Sequence, residues 1–247
     1  MHRFFLPEDS FTKNTVAISG KLTHQLRNVL RLNAGDHIFV LDNSGWEYEV
    51  ELAEMDKDNI KGKIVSKTIA SSEPRTKITL YQALLKASNF ELVLQKCTEI
   101  GVTSFVPIVC EHCVAGAPDS RKLSRWANII REAAEQSRGG KLPALHGVTN
   151  FKEACRSASG LSLLPWEGEK LRGMGEVLRN SPKAAKSTEI SIFIGPEGGF
   201  SPTEVKLAQS CGIVPVSLGP RIFRAETAGL VASAITFYEL GELGSRL

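Results

Sequence analysis

The sequence has no apolar run of membrane-spanning length, so no transmembrane segment is expected. Its opening residues, MHRFFLPEDS, lack the long apolar segment of a secretory signal, and the expected location is cytoplasmic. No Gly-Lys-Ser/Thr follows its most glycine-rich turn, which excludes a Walker A loop, and that turn is not the G-x-G-x-x-G of a dinucleotide fold. A zinc site needs about four ligands. Cys110-Glu111-His112-Cys113 offers one C-x-x-C, and Cys97, Cys155 and Cys211 are isolated, so no metal is expected. The pair also lacks the Trp-Cys-Gly context of a redox loop. An odd count of five cysteines without a signal reads as reduced thiols. Internal repeats and low-complexity segments are absent. So is any acidic residue between Ser10 and Gly35, a stretch that holds Lys13, Lys21, Arg27 and Arg31.

What is present is ordinary in bulk. The 247 residues are 42% hydrophobic and 23% charged with a net charge of +3, enough for one large or two modest globular domains. Chemistry concentrates in Ile190–Leu230. An apolar run, Ile190–Ile194, suits a buried strand. The turn Gly195-Pro196-Glu197-Gly198-Gly199 follows, and then a helix start with Ser201 as cap, Pro202 at the first helical position and Glu204 completing a capping box. Gly212 can stop that helix. A second apolar run, Ile213–Leu218, leads into Gly219-Pro220, then Arg221 and Arg224, then a helix of small residues from about Glu226 to Leu240. If the two strands are parallel neighbours, their glycine turns lie side by side, where open α/β sheets bind ligands. Bare backbone there would suit a planar ring needing several main-chain hydrogen bonds.

The first 72 residues or so read as a small β-rich unit. His37–Leu41 and Trp46–Leu52 suit strands, with Asp42-Asn43-Ser44-Gly45 as a hairpin turn. Thr23–Leu32 reads as a short helix capped by Thr23, with Leu26, Val29 and Leu30 on its apolar side. Arg27 and Arg31 share a helix face, and their acid-free context suits phosphate contact. Ser71-Ser72-Glu73-Pro74 is the expected boundary. Beyond it the pattern alternates: strand Ile78–Leu85, helix Asn89–Ile100, strand Ser104–Val109, helix Leu123–Gln136, strand Leu161–Trp166, then the stretch described above. Alternation predicts an α/β domain, a mostly parallel sheet covered by helices.

GPEGGF followed by LGPRIFRAETA resembles the C-terminal signature of the SPOUT methyltransferases, and more narrowly the RsmE family of bacterial 16S ribosomal RNA uracil-N3 methyltransferases. LVLQKCTEIGV, WANIIREAAEQSRGGKLP, MHRFF and HQLRNVLRLNAGD extend the likeness over nearly the whole chain. Asn89 stands where a basic residue is usual, His112 where Arg is usual, and Phe223 where Leu is usual. The resemblance implies a PUA-like RNA-binding β-barrel over residues 1–72 and a trefoil-knotted SPOUT domain over 73–247. It also implies S-adenosylmethionine as cofactor and a homodimer acting on 16S rRNA or the 30S subunit, with no membrane or DNA partner. The reaction implied is methylation of N3 of a uridine, uridine 1498 by that likeness, during small-subunit maturation.

The cofactor pocket is then expected from Leu164, Ile194, Gly195, Pro196, Glu197, Gly198, Gly199, Leu218, Gly219, Ile222, Phe223 and Ala228. RNA contacts are expected from Arg3, Arg27, Arg31, Lys86 and Arg221. Neutral uridine carries a proton on N3, so a base or an anion stabiliser should help. Glu226 and Glu197 are the base candidates; Arg138 and Arg224 are the stabiliser candidates. Two competing readings are a non-catalytic RNA-binding or ribosome assembly factor, and a SPOUT enzyme acting on ribose 2′-hydroxyls or transfer RNA.

Overall fold

The structure, a computed structural model, describes residues 1–86, 88–181 and 189–244. The chain divides into two compact units, one of Met1–Glu73 with Ala134–Leu142, the other of Pro74–Ala133 with Pro143–Leu247.

The first unit is built on a five-stranded sheet: β1 (Arg3–Phe5), β2 (Thr15–Ser19), β3 (His37–Leu41), β4 (Trp46–Met55) and β5 (Asn59–Ile69), in the order β1-β3-β4-β5-β2. All pairs but β1/β3 are antiparallel. Register shifts in β4 at Glu49/Val50 and Leu52/Glu54 bend the long β4–β5 ribbon. Val16, Ile18, Leu26, Ile38, Val40, Val50, Leu52 and Ile60 form the core. The hairpin turn after β3 is held by Asp42, whose carboxylate accepts the Ser44 N–H at 2.9 Å and the Tyr48 hydroxyl at 2.9 Å. Partial burial raises the Asp42 pKa, but the bonds from Ser44 and Tyr48 outweigh it and hold it below the usual aspartate value.

The helix expected over Thr23–Leu32 is shorter and differently wound. A single α turn, α1 (Lys21–His24), passes directly into a π turn, Gln25–Val29. The wider turn shifts the inward face. Leu26 is buried, but Val29 is 63% exposed. Thr23 does not cap: Gly20 precedes the helix, and the buried Thr23 hydroxyl donates to the Ile18 carbonyl at 3.3 Å.

Residues 134–142 join the first unit although they lie far along the chain. Glu73 accepts the N–H groups of Gly140 and Lys141 at 2.8 and 3.0 Å, and Asn43 accepts that of Leu142 at 2.7 Å.

The second unit alternates strand and helix: β6 (Lys77–Ala83), α2 (Asn89–Glu99), β7 (Ser104–Val109), α3 (Ser120–Gln136), the two-residue strands β8 (Ala144–Leu145) and β9 (Thr149–Asn150), α4 (Phe151–Ser157), β10 (Leu161–Pro165), α5 (Met174–Asn180), β11 (Glu189–Ile194), α6 (Pro202–Ser210), β12 (Val214–Val216) and α7 (Ala225–Glu239). The last residues of α3 belong to the first unit. The sheet order is β12-β10-β11-β6-β7-β8, with β9 also on β7, and every pair is parallel. Both faces are covered, which is why its strands read as continuous apolar runs. One face buries Ile78, Leu80, Ile190, Ile192 and Ile194 against Phe90, Trp126 and Phe237 of α2, α3 and α7. The other buries Tyr81, Val106, Leu164 and Phe193 against Phe151 and Val205 of α4 and α6. The small residues of α7 let it lie close against the sheet. Gly229 is buried, and a Cβ there would lie 3.1 Å from the Gln82 Oε1 beneath it. Among the described residues, no helix is long and apolar enough to cross a membrane.

Candidate active site

Three neighbouring parallel strands end at the same edge, at Pro165 of β10, Ile194 of β11 and Val216 of β12. The loops leaving them enclose a cleft of about 1120 Å³. The expectation that the two glycine turns leave adjacent strands is corrected here: β10 lies between β11 and β12. The turns face each other across the end of β10, and its loop supplies Trp166, Glu167, Glu169 and Lys170 to the same cleft. The sequence pattern points to Leu164 on this strand and not to those four. The signal for Glu167, Glu169 and Lys170 is a polar stretch directly after an apolar run; Trp166 ends that run and carries no such signal.

The first turn is Gly195–Phe200. The Gly199 N–H donates to the Pro196 carbonyl at 2.9 Å, and Gly199 has φ 69°, a conformation glycine adopts without Cβ strain. The capping box is formed as the spacing predicts. Ser201 Oγ accepts the Glu204 N–H at 3.2 Å, and Glu204 Oε2 accepts the Ser201 N–H at 2.9 Å. Two outside groups brace this turn. Glu197 Oε1 accepts the Lys86 N–H at 3.0 Å, and His112 Nδ1 lies 3.1 Å from the carbonyl oxygens of both Gly198 and Gly199. A Cβ on Gly198 would lie 2.9 Å from the His112 Cβ, so that position must stay bare.

The second turn runs from Ser217 to Arg224. Ser217 Oγ accepts the Gly219 N–H at 3.2 Å, and Gly219 has φ 116°. Ser217 is stitched to the β10 loop: its N–H donates to the Arg172 carbonyl at 2.8 Å, and its carbonyl accepts the Met174 N–H at 3.0 Å. That loop has its own clasp, in which Glu169 accepts the N–H groups of Leu171 and Arg172; these bonds hold the Glu169 carboxyl below the ordinary glutamate range. The Leu218, Ile222 and Phe223 N–H groups find no acceptor among the described residues. Arg224 precedes α7, and its carbonyl accepts the N–H groups of Thr227 and Ala228. Its exposed side chain makes no cap bond.

Of the residues expected around a cofactor, Ile194, Gly195, Pro196, Glu197, Gly199, Leu218, Gly219, Ile222, Phe223 and Ala228 line this cleft; Leu164 and Gly198 do not. Leu164 is fully buried in the core below, and Gly198 turns toward His112. Of the catalytic candidates, Glu197, Arg224 and Glu226 line the cleft, and Arg138 lies in the first unit. Arg138 there has φ 66°, and its carbonyl accepts from Arg3 Nη1 at 3.1 Å and from the Ser72 hydroxyl.

The RNA candidates are scattered. Arg221 lines the cleft, and Lys86 is exposed beside Glu197. Arg27 donates to the Asp56 carbonyl at 3.0 Å, and Arg31 is exposed at φ 55°. Arg3 is half-buried and pairs with the buried Glu47; burial lowers its pKa, and Glu47 opposes that shift. Among the described residues, no group of three or more His, Cys, Asp or Glu side chains is placed to hold a metal.

Comparison with known proteins agrees with this architecture. A family described as RNA methyltransferase domain matches residues 71–236, and one described as RNA methyltransferase PUA domain matches residues 18–65. The ribosomal RNA small subunit methyltransferase E of Synechocystis is 34% identical over 236 residues, 94% of this chain and 76% of that protein. The Bacillus subtilis protein of the same name is 32% identical, with 90% of each chain covered. The crystal structure of the Neisseria gonorrhoeae ribosomal RNA small subunit methyltransferase E bound to S-adenosyl methionine superposes with a TM-score of 0.87 at 29% identity, covering 96% of this chain and 97% of that one. A methyltransferase structure from Legionella pneumophila, in complex with the same cofactor, gives a TM-score of 0.85 at 28% identity and covers 96% of each chain. With a PUA unit ahead of a parallel-sheet unit whose strand ends frame the cleft, the chain belongs to the RNA methyltransferase family that includes the ribosomal RNA small subunit methyltransferases E.

Proposed function

We propose that this chain transfers a methyl group from S-adenosylmethionine to N3 of a uridine in 16S ribosomal RNA, uridine 1498 by family likeness. On this reading it acts as a cytoplasmic homodimer during small-subunit maturation. The observation that carries the proposal is the cleft itself, where two bare-backbone turns and the β10 loop converge at the carboxyl edge of a parallel sheet.

The walls fit such a cofactor. The backbone N–H groups of Leu218, Ile222 and Phe223 are unmatched donors among the described residues, suited to the ring nitrogens of an adenine. Ile194, Leu218, Phe223 and Ala228 offer apolar surface to a flat ring. The volume slightly exceeds the ~300–1,000 Å³ usual for small-molecule sites, which leaves room for a target base beside a cofactor. When bound, S-adenosylmethionine supplies a methyl group already activated on its sulfonium.

The protein's tasks are then alignment and proton management. Uracil N3 must lose its proton, and a carboxylate in the cleft can take it. Glu197 already accepts a hydrogen bond from the Lys86 N–H, whereas among the described residues nothing donates to Glu226. Glu226 is therefore the preferred base. Arg224, on the cleft rim, suits the negative charge that develops on the uracil, and Arg221 suits a phosphate. Arg27 and Arg31, in the acid-free segment of the PUA unit, suit RNA backbone. Arg138 remains a candidate anion stabiliser, and its alanine variant tests that role. A thermal-shift titration with S-adenosylmethionine and S-adenosylhomocysteine checks the cofactor assignment. At one hundred times Kd the stabilisation is about 2.7 kcal/mol, and a flat response at millimolar ligand would remove the basis of the proposal.

A further inference from the structure

The loop after β7 carries a pair of thiols, Cys110 and Cys113, and His112 between them lies against the glycine turn of the cleft. Cys110 is buried and Cys113 half-buried. The Cys113 N–H donates to the Cys110 carbonyl at 3.1 Å, which closes a β-turn. Such a turn brings its first and last Cα atoms within about 7 Å, close to the ~4.4–6.8 Å span of disulfides. The Cys110 N–H donates to the Cys113 sulfur at 3.3 Å, so that sulfur is folded back over the turn. The Cys113 sulfur also lies 3.7 Å from the Leu84 carbonyl oxygen and 3.9 Å from the Ile108 carbonyl oxygen. The neighbouring Cys110 side chain, with the bond from its backbone N–H, draws the Cys113 pKa down to about 7 against its burial. The Cys110 pKa is pushed up by the same contact and by burial. Of the two, Cys113 is the more acidic thiol, and it sits in one turn with Cys110. By contrast, burial pushes the thiols of Cys97 and Cys155 up to about 12.

The two residues between the thiols hold the cleft. His112 Nδ1 lies 3.1 Å from both glycine carbonyl oxygens, and the Glu111 N–H donates to Glu204 Oε1 at 2.8 Å. That carboxylate also completes the capping box of α6. A change in the C-x-x-C turn is thus transmitted directly to Gly198, Gly199 and the start of α6.

We propose that Cys110 and Cys113 form an oxidation site for hydroperoxides, and that its closure as a disulfide loosens the glycine turn and weakens cofactor binding. The second half rests on the cofactor reading given above. The Cys113 thiolate attacks a peroxide oxygen, the O–O bond breaks, and a sulfenic acid and hydroxide result; the hydroxide takes up a proton to become water. The Cys110 sulfur then attacks the sulfenic sulfur. The S–S bond forms, the S–O bond breaks, and the hydroxyl leaves as water with the Cys110 proton. One hydrogen peroxide is reduced to two waters while two thiols are oxidised to one disulfide. Closing to an S–S length of about 2.05 Å pivots His112 and Glu111 away from their partners.

The test uses the full chain with the exposed Cys211 replaced, Cys211→Ser, treated with hydrogen peroxide and then examined by non-reducing peptide mass mapping and by calorimetry with S-adenosylmethionine. The peptide holding residues 110–113 should lose two hydrogens, affinity should fall about tenfold, and dithiothreitol should restore both. Added Cys113→Ser should leave affinity indifferent to peroxide, and added Cys110→Ser should stop at a sulfenic acid trapped by dimedone. Absence of the disulfide, or a disulfide with unchanged affinity, overturns the proposal. Reduced protein that binds no S-adenosylmethionine overturns the cofactor reading instead, and the peptide map still decides the thiol chemistry.

Discussion

Replacing Glu204 by alanine removes one buried carboxylate that serves backbone donors from two different loops. Glu204 is 8% exposed; its Oε2 accepts the Ser201 N–H at 2.9 Å and its Oε1 the Glu111 N–H at 2.8 Å. A hydrogen bond to a charged group contributes about 1.5–3 kcal/mol, and two are lost. Part of that is offset, because the carboxylate no longer has to be held away from water, so the net loss should be about 2–4 kcal/mol. Glu204→Gln keeps one acceptor oxygen and turns an NH₂ toward the other donor, so it should fall between the wild type and alanine. Ser201→Ala removes only the cap oxygen and should cost about 1 kcal/mol. Urea unfolding at constant slope measures all three. Calorimetry on the same proteins should show cofactor affinity falling in the same order, because the carboxylate fixes the glycine turn relative to the β7 loop. A Glu204→Ala protein within about 0.5 kcal/mol of wild type, the range of an ordinary surface substitution, would show that the two loops hold their places without it.

Further outcomes follow from single residues. Arg224→Ala should lower methyl transfer by about a hundredfold or more while leaving the melting temperature unchanged, since its side chain makes no cap bond; equal losses in both assays would make it structural. Arg3→Ala leaves the buried Glu47 carboxylate without its ion-pair partner and should destabilise the protein by about 3–5 kcal/mol, read by urea unfolding, with Glu47→Gln in the same background recovering part of the loss. The folded Asp42 pKa lies below its unfolded value of about 3.9, so its contribution is full above that pH and is lost as pH falls through the folded value. Asp42→Asn should therefore flatten the acid limb of the stability curve, and an unchanged slope would refute the assignment.

Local chemistry was legible in the sequence. Ser201, Pro202 and Glu204 act within one turn of helix, and their spacing alone gave the start of α6. The apolar runs gave β10 and β11 to within a residue because a strand buried on both faces has no polar register to hide. What the spacing did not carry was non-local. Insertion of β10 between β11 and β12 is a matter of sheet order, which no residue pattern encodes, and with it went the contribution of Trp166, Glu167, Glu169 and Lys170 to the cleft. Residues 134–142 joined the first unit through Glu73 and Asn43, side chains about a hundred positions or fewer away that an ordinary acid and amide do not advertise. Val29 faced outward because a π turn, invisible to a periodicity of 3.6, rotated the helix around Leu26.

The central claim is that the cleft at the ends of β10, β11 and β12 presents a methyl group to uracil N3. Its most direct test is nucleoside mass spectrometry of 16S ribosomal RNA and 30S subunits lacking the modification, each incubated with the purified chain and S-adenosylmethionine. The account predicts new 3-methyluridine that disappears when Gly219 is replaced by valine, whose side chain is strained at φ 116°. Persistence of unmodified uridine in both substrates, or methylation at a ribose hydroxyl instead, would contradict it.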